Sequence, residues 1–350
     1  MARVYLDYNA TVPLRPVARQ AMIAAMDVVG NPSSVHAEGR AAKALIERAR
    51  GQIVRAVGAH EADVVFVSGA TEAAALACAG RGLHGAAIEH DAVRAWVETD
   101  LAVDHNGQVV VDDPARYVMQ AANSETGVLQ NLPPGLAVSD WTQAFGKVPL
   151  AFDAAGVDIA FFSAHKIGGP KGIGALVIRR GLDINAQIKG GGQEMGRRAG
   201  TENLIGIAGF GAAAAECAQD VDKGAWGRVE KLRNILENIM DDSAAAPIFV
   251  GREAKRLPNT SCIMTPGWKG ETQVMQMDLA GFAVSAGAAC SSGKVNAAKS
   301  SMVLHAMGID AASASCAIRV SLGLHSTEAE IIAFARTWGT AYDRFRRKAA

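Results

Sequence analysis

The stretch Val157-Asp158-Ile159-Ala160-Phe161-Phe162-Ser163-Ala164-His165-Lys166, followed by Ile167-Gly168-Gly169-Pro170-Lys171-Gly172-Ile173-Gly174, decides the fold. A mostly apolar run of strand length ends in polar groups and then a glycine-rich turn. It reads as a strand that delivers Lys166 to a sheet edge where backbone can approach a ligand closely. A lysine beside an apolar wall and a second cation, His165, has its ammonium form disfavoured, so it can act as an amine nucleophile or form a Schiff base. A solvated lysine at a strand end is the other explanation of the same residues.

Upstream lies a further strand, Asp63-Val64-Val65-Phe66-Val67, then Ser68-Gly69-Ala70-Thr71-Glu72, then an alanine-rich helix at 73–80. Strand, small-residue turn and helix in that order present unpaired N–H groups and a positive dipole end, which suits a phosphate. A plain helix cap accounts for them equally well. Strands are also expected at 85–89, 107–111 and 116–122, and the segment 136–138 leads into Ser139-Asp140-Trp141-Thr142-Gln143. Short apolar strands alternating with helices imply a mostly parallel sheet, whose ligands collect beyond the carboxyl ends of the strands. Thr71, His90, Asp140 and Lys166 all fall at such ends.

Helices are expected near 17–28, over 34–50, from about Leu204 to Asp241 with an interruption at Gly224, and over 327–347. The glycine-rich polar segment 189–202 predicts a loop near the site. A chain of 350 residues exceeds the usual single-core size, so we expect a large domain over 14–240 and a smaller one formed by 1–13 and 241–350.

The composition is 49% hydrophobic and 20% charged, an ordinary globular profile. Its 35 basic residues balance 35 acidic ones, which gives no electrostatic reason to expect nucleic acid or a membrane surface as partner. No run has signal-peptide or bilayer-spanning character, and a cytoplasmic location is expected. Five cysteines, odd in number and without a Cys-x-x-Cys pair, suggest neither a disulfide framework nor a zinc site. Cys290 differs from the other four. Gly287 before it and Ser291-Ser292-Gly293 after it leave the sulfur reachable, and a reachable thiolate is a nucleophile, although free cysteines are often simply buried. Arg319, after an apolar pair, could fork onto a substrate carboxylate or make a structural ion pair. Gly293-Lys294 lacks the first glycine and the hydroxyl of a Walker loop.

An amine, a phosphate turn, an aspartate and a histidine at successive strand ends match the needs of pyridoxal 5'-phosphate. The lysine binds its aldehyde and Asp140 keeps the pyridine nitrogen protonated, unless that aspartate is an ordinary cap. The ordered set Tyr5-Leu6-Asp7-Tyr8-Asn9-Ala10-Thr11, Gly30-Asn31-Pro32-Ser33-Ser34, Ser68-Gly69-Ala70-Thr71-Glu72, Glu89-His90, Ser163-Ala164-His165-Lys166, Gly190-Gly191-Gly192-Gln193-Glu194, Arg198-Ala199-Gly200-Thr201 and Gly287-Ala288-Ala289-Cys290-Ser291-Ser292-Gly293-Lys294 resembles the cysteine desulfurases of the NifS/IscS type, within the class V aminotransferase group.

The resemblance covers nearly the whole chain. It implies an α/β fold, the pyridoxal-phosphate-dependent transferase fold (aspartate aminotransferase-like, fold type I), with a mainly parallel large-domain sheet and a smaller α/β domain. It implies that Lys166 is the Schiff-base lysine, that Asp140 pairs with the pyridine nitrogen, that Gln143 hydrogen-bonds the ring hydroxyl, and that His90 stacks on the ring and moves protons. Ala70, Thr71, Ser163 and His165 would hold the phosphate, with Thr201 supplied by the other subunit of a homodimer. Arg319, helped by the loop around Asn123, would take the carboxylate of L-cysteine. Cys290 would attack the substrate sulfur, leaving a persulfide and releasing alanine, and would pass sulfur to an iron–sulfur scaffold or another sulfur-acceptor protein. No resident metal is implied, although Cys290 could transiently ligate an iron–sulfur cluster. Ser124 stands where the family has a cofactor-facing amide, Ala164 where it has glycine, Val12 for a threonine and Ala75 for an asparagine, and the segment 128–139 is short. The same scaffold also carries selenocysteine lyases and aminotransferases, and a degenerate coenzyme-binding protein without turnover would share most of these motifs.

Overall fold

A computed structural model of the chain describes residues 3–287 and 301–349. The lysine stretch forms the strand Ile159–Ser163, with all five residues buried. Successive side chains on a strand point to opposite faces, and here both faces are covered. Ala160 and Phe162 share a core with Ile46, Ile53 and Phe210, whereas Ile159 and Phe161 share another with Ala73, Leu76 and Ala77. Double-sided burial is why the run is almost continuously apolar.

This strand is the centre of a five-stranded sheet in the order Ala62–Val67, Gly174–Arg179, Ile159–Ser163, Val138–Asp140, Val118–Gln120. The last three pair in parallel. Gly174–Arg179 runs antiparallel to both of its neighbours. Ser163 and Gly174 face each other across that ladder, and so short a link cannot hold the crossover that a parallel return requires. The sheet is therefore mixed at that one strand, and the other strands point the same way. They include the parallel pair His84–Ala86 and Glu98–Leu101, joined to the sheet by a parallel bridge between His84 and Tyr117.

Helices Pro16–Met26, Ala37–Ala56 and Leu204–Asp222 cover one face and Ala70–Cys78 covers the other. Ala37–Ala56 starts later than the expected residue 34 because His36 is its cap, accepting the Gly39 N–H at 3.3 Å. The strand expected at 107–111 does not form. Asp104 instead accepts the N–H groups of Asn106 and Gln108 and closes a turn, leaving one bridge between Val103 and Val109.

A second, antiparallel sheet, in the order Ser285–Ala286, Ala317–Ser321, Thr260–Met264, Ile248–Val250, packs on its own core. That core takes Leu232 and Leu236 from helix Trp226–Asp241, Met277 from Gly270–Leu279, and Phe334 and Trp338 from Glu328–Ala349. The strand Val4–Tyr5 lies parallel to Phe282–Ala283, and Leu6 joins the second core. From there residues 9–11 cross to the carboxyl edge of the larger sheet. No helix among the described residues is long and apolar enough to cross a membrane.

Candidate active site

Beyond the carboxyl ends of the larger sheet's strands lies a cavity of about 590 Å³. Asp140 and Lys166 reach it from adjacent parallel strands, Lys166 by way of the single turn Ala164–Lys166. The Lys166 Nζ donates to the carbonyls of Asn9 (2.6 Å) and Ala10 (2.9 Å). Asp140 is buried, and its Oδ1 accepts the Thr142 N–H at 2.8 Å. Burial raises its carboxyl above the ordinary range, against the opposing pull of the Thr142 hydrogen bonds, His90 and Lys166. His90 caps the short helix Asp91–Arg94, its Nδ1 accepting the Ala92 N–H at 3.1 Å, so the neutral ring carries its proton on Nε2.

The opposite end of the cavity suits an anion. Helix Ala70–Cys78 begins there behind Gly69, which offers no side-chain cap, and Thr71, Ser163 and His165 line the same wall. Gly174 permits this close approach, since a Cβ on it would lie 2.9 Å from both the carbonyl carbon and the Cα of Gly69. His165 faces Thr11 Oγ1 at 3.2 Å. Burial, then Lys166 and Lys171, push its pKa down to about 4, so the ring is neutral at pH 7 and donates or accepts without adding charge. A buried carboxylate at one end, an uncapped helix start with two hydroxyls at the other and an amine between them fit pyridoxal phosphate.

Several expected residues stand elsewhere. Asn123 does not line the cavity. Its Nδ2 donates to the Ile88 carbonyl, and its Oδ1 accepts from the N–H groups of Glu125 and Thr126, so the side chain holds its own loop. Ala164 faces the core, fully buried, because the turn that lifts Lys166 points it inward. Thr201 does not line the cavity of its own chain. It lies in a neighbouring cleft with Arg198 and Glu202 that shares Ser68 and Gly172 with the cavity. Cys290 lies outside the described residues. Ser124 and Gln143 do line the cavity. Arg319 lines the wall and makes an ion pair as well, with Nη2 2.8 Å from Asp7 Oδ1 and Nη1 donating to the Ser124 carbonyl at 3.0 Å. Its buried Nε has no partner among the described residues.

Three further residues organise the site without a local sequence signal for it. The backbone carbonyl of Asn9 takes both Lys166 and Gln143. Lys147 stands four residues after Gln143, a spacing that places two side chains on one face of a helical turn. Glu125 accepts the Ser301 hydroxyl at 2.5 Å, just beyond residues 288–300.

Fold and site together define a class. The aminotransferase class-V family model matches residues 4–99 and 108–334, and the chain belongs to that family, whose members use pyridoxal phosphate. Within it, the chain is 38% identical to a cysteine desulfurase of Cereibacter sphaeroides, over 95% of this chain and 93% of that one. It is 34% identical to the cysteine desulfurase IscS of Dictyoglomus turgidum, over 94% and 91%. Among solved structures, the NifS-like protein from Rickettsia africae superposes with a TM-score of 0.86 at 31% identity, over 97% of this chain and 99% of that one.

Proposed function

We propose that this chain is a pyridoxal-phosphate-dependent cysteine desulfurase, taking sulfur from L-cysteine to give L-alanine and a persulfide on Cys290. The observation that carries the reading is the delivery of buried Asp140 and of Lys166, from neighbouring parallel strands, into one cavity with an uncapped helix start. When bound, the coenzyme holds the substrate amino group and withdraws electrons from its carbons, which weakens the sulfur–carbon bond.

The chain's own groups do the rest. Asp140 holds a proton on the ring nitrogen, and the Thr142 N–H keeps the carboxylate aimed. Thr71, Ser163 and neutral His165 with the N–H groups after Gly69 bind the phosphate. Ser124 and Gln143 border the ring. Arg319, already desolvated, offers its guanidinium to the substrate carboxylate. His90, protonated at Nε2, moves protons at the substrate carbons.

The Cys290 thiolate attacks the substrate sulfur. A sulfur–sulfur bond forms, the sulfur–carbon bond breaks with its electron pair on carbon, and the proton of the Cys290 thiol is balanced by the one gained in the alanine methyl group. Cys78, Cys217 and Cys262 are poor candidates for this role, because burial pushes each thiol up to about 12. Thr201 completes the phosphate site of a second subunit in a homodimer, and the persulfide goes to an iron–sulfur scaffold or another acceptor protein. Borohydride treatment of the purified protein followed by peptide mapping tests the site: a pyridoxyl group on Lys166 is expected, and its absence there would overturn the assignment.

A further inference from the structure

Lys147 is buried, and its Nζ donates to Asn9 Oδ1 at 3.0 Å and to Gln143 Oε1 at 2.8 Å. Both acceptors are amide oxygens rather than carboxylates. Burial first, and then the positive charges of Lys166 and Arg319, hold its ammonium well below the ordinary lysine range. Whether as an ammonium or as an amine, the group has N–H bonds for both oxygens. A buried amine without a carboxylate costs stability, and an apolar side chain of similar length would pack there at less expense.

What the amine arranges accounts for its presence. Because Lys147 points N–H bonds at Gln143 Oε1, that amide is turned with its NH₂ toward the Asn9 carbonyl, which it meets at 2.9 Å, on the wall of the cavity. The same Asn9 carbonyl receives Lys166. The Asn9 side chain accepts from Lys147 and from Asn259 Nδ2 (3.1 Å) and donates to Thr260 Oγ1 (2.9 Å), so it is clamped from both units of the chain. Lys147 thus reaches the two groups that meet at Asn9 without itself lining the cavity.

We infer that Lys147 is a positioning residue for the coenzyme: it locks the Gln143 amide and Asn9 so that a Gln143 N–H and the Lys166 amine face the ring. This rests on the coenzyme site proposed above, and the test separates the two. Apo protein of the parent, Lys147→Met and Lys147→Gln is titrated with pyridoxal phosphate, and the melting temperature of each apo form is recorded. A parent that fails to bind the coenzyme sinks the site itself, whatever the variants do. With a binding parent, we expect Lys147→Met to bind about tenfold more weakly, the equivalent of one lost orienting hydrogen bond. Its apo form should melt at or above the parent's temperature, and Lys147→Gln, which keeps a donor, should recover part of the affinity. Parent-like affinity in Lys147→Met overturns the inference. So does a lower melting temperature or failure to fold, since either would make the lysine a structural support rather than a stability cost retained for the site.

Discussion

Asp140 and Glu125 are both buried carboxyls raised by desolvation, and their surroundings give them different uses. Asp140 has Thr142 on one oxygen and the cavity beyond, so replacing it with Asn keeps the shape and removes the charge that would hold a ring proton. We expect Asp140→Asn to lose on the order of 10²-fold or more in the rate of alanine formation from cysteine, the scale of losing one aligned electrostatic group. Glu125 is raised to about 7 by burial, with Ser301, Arg319 and Arg94 pulling it down and Asp91 pushing it up. The unfolded chain releases this proton near 4.5 while the folded one holds it to about 7, so stability from this group is lost as pH rises between those values. Glu125→Gln does not titrate. Its stability relative to the parent should therefore improve from about pH 5 to pH 8 by up to roughly 3 kcal/mol, read from denaturant midpoints. An unchanged difference would contradict the buried acid. That Lys166, Asp140, His90 and Thr71 share one cavity was legible in the sequence because strand ends announce themselves where an apolar run stops. Asn123 was not, since nothing in its neighbours says whether an amide turns toward a ligand or folds back on its own loop.

The glycine-rich segment 189–202 was legible as a loop, but its anchoring was not. Glu194, with a left-handed backbone (φ 47°), is buried against Arg50 through two contacts, at 2.9 and 3.0 Å, and accepts the Phe66 N–H at 2.8 Å. Arg198 then pairs with Glu72 in the first turn of the helix Ala70–Cys78. These contacts join residues far apart in the chain, and no local pattern reports them. Removing one partner of a buried pair strands the other. Glu194→Ala should therefore cost about 3–5 kcal/mol in chemical unfolding, and a loss below about 1 kcal/mol would show that the pair is not holding the loop. The reversed strand Gly174–Arg179 is a further feature hidden from periodicity: an apolar strand has the same pattern in either direction, and only the short link from Ser163 fixes it.

For the whole molecule, the second sheet packs on a core of its own, and Leu6, next to the strand Val4–Tyr5, joins it. A division at residue 240 would part helix Trp226–Asp241 from the second core that Leu232 and Leu236 fill, and we propose that the units divide near Gly224 instead. The arrangement places Arg319 of the smaller unit in the wall of the larger unit's cavity. We propose that Cys290 receives the sulfur of L-cysteine. To test this, the coenzyme-loaded protein is incubated with L-cysteine, and alanine is measured together with alkylation-trapped persulfide on the intact chain, for the parent and for Cys290→Ala. We expect the parent to form alanine with a persulfide mapped to Cys290, and the variant to lose on the order of 10²-fold or more of the rate with no trapped persulfide. Alanine formed by Cys290→Ala at the parent rate would contradict the account.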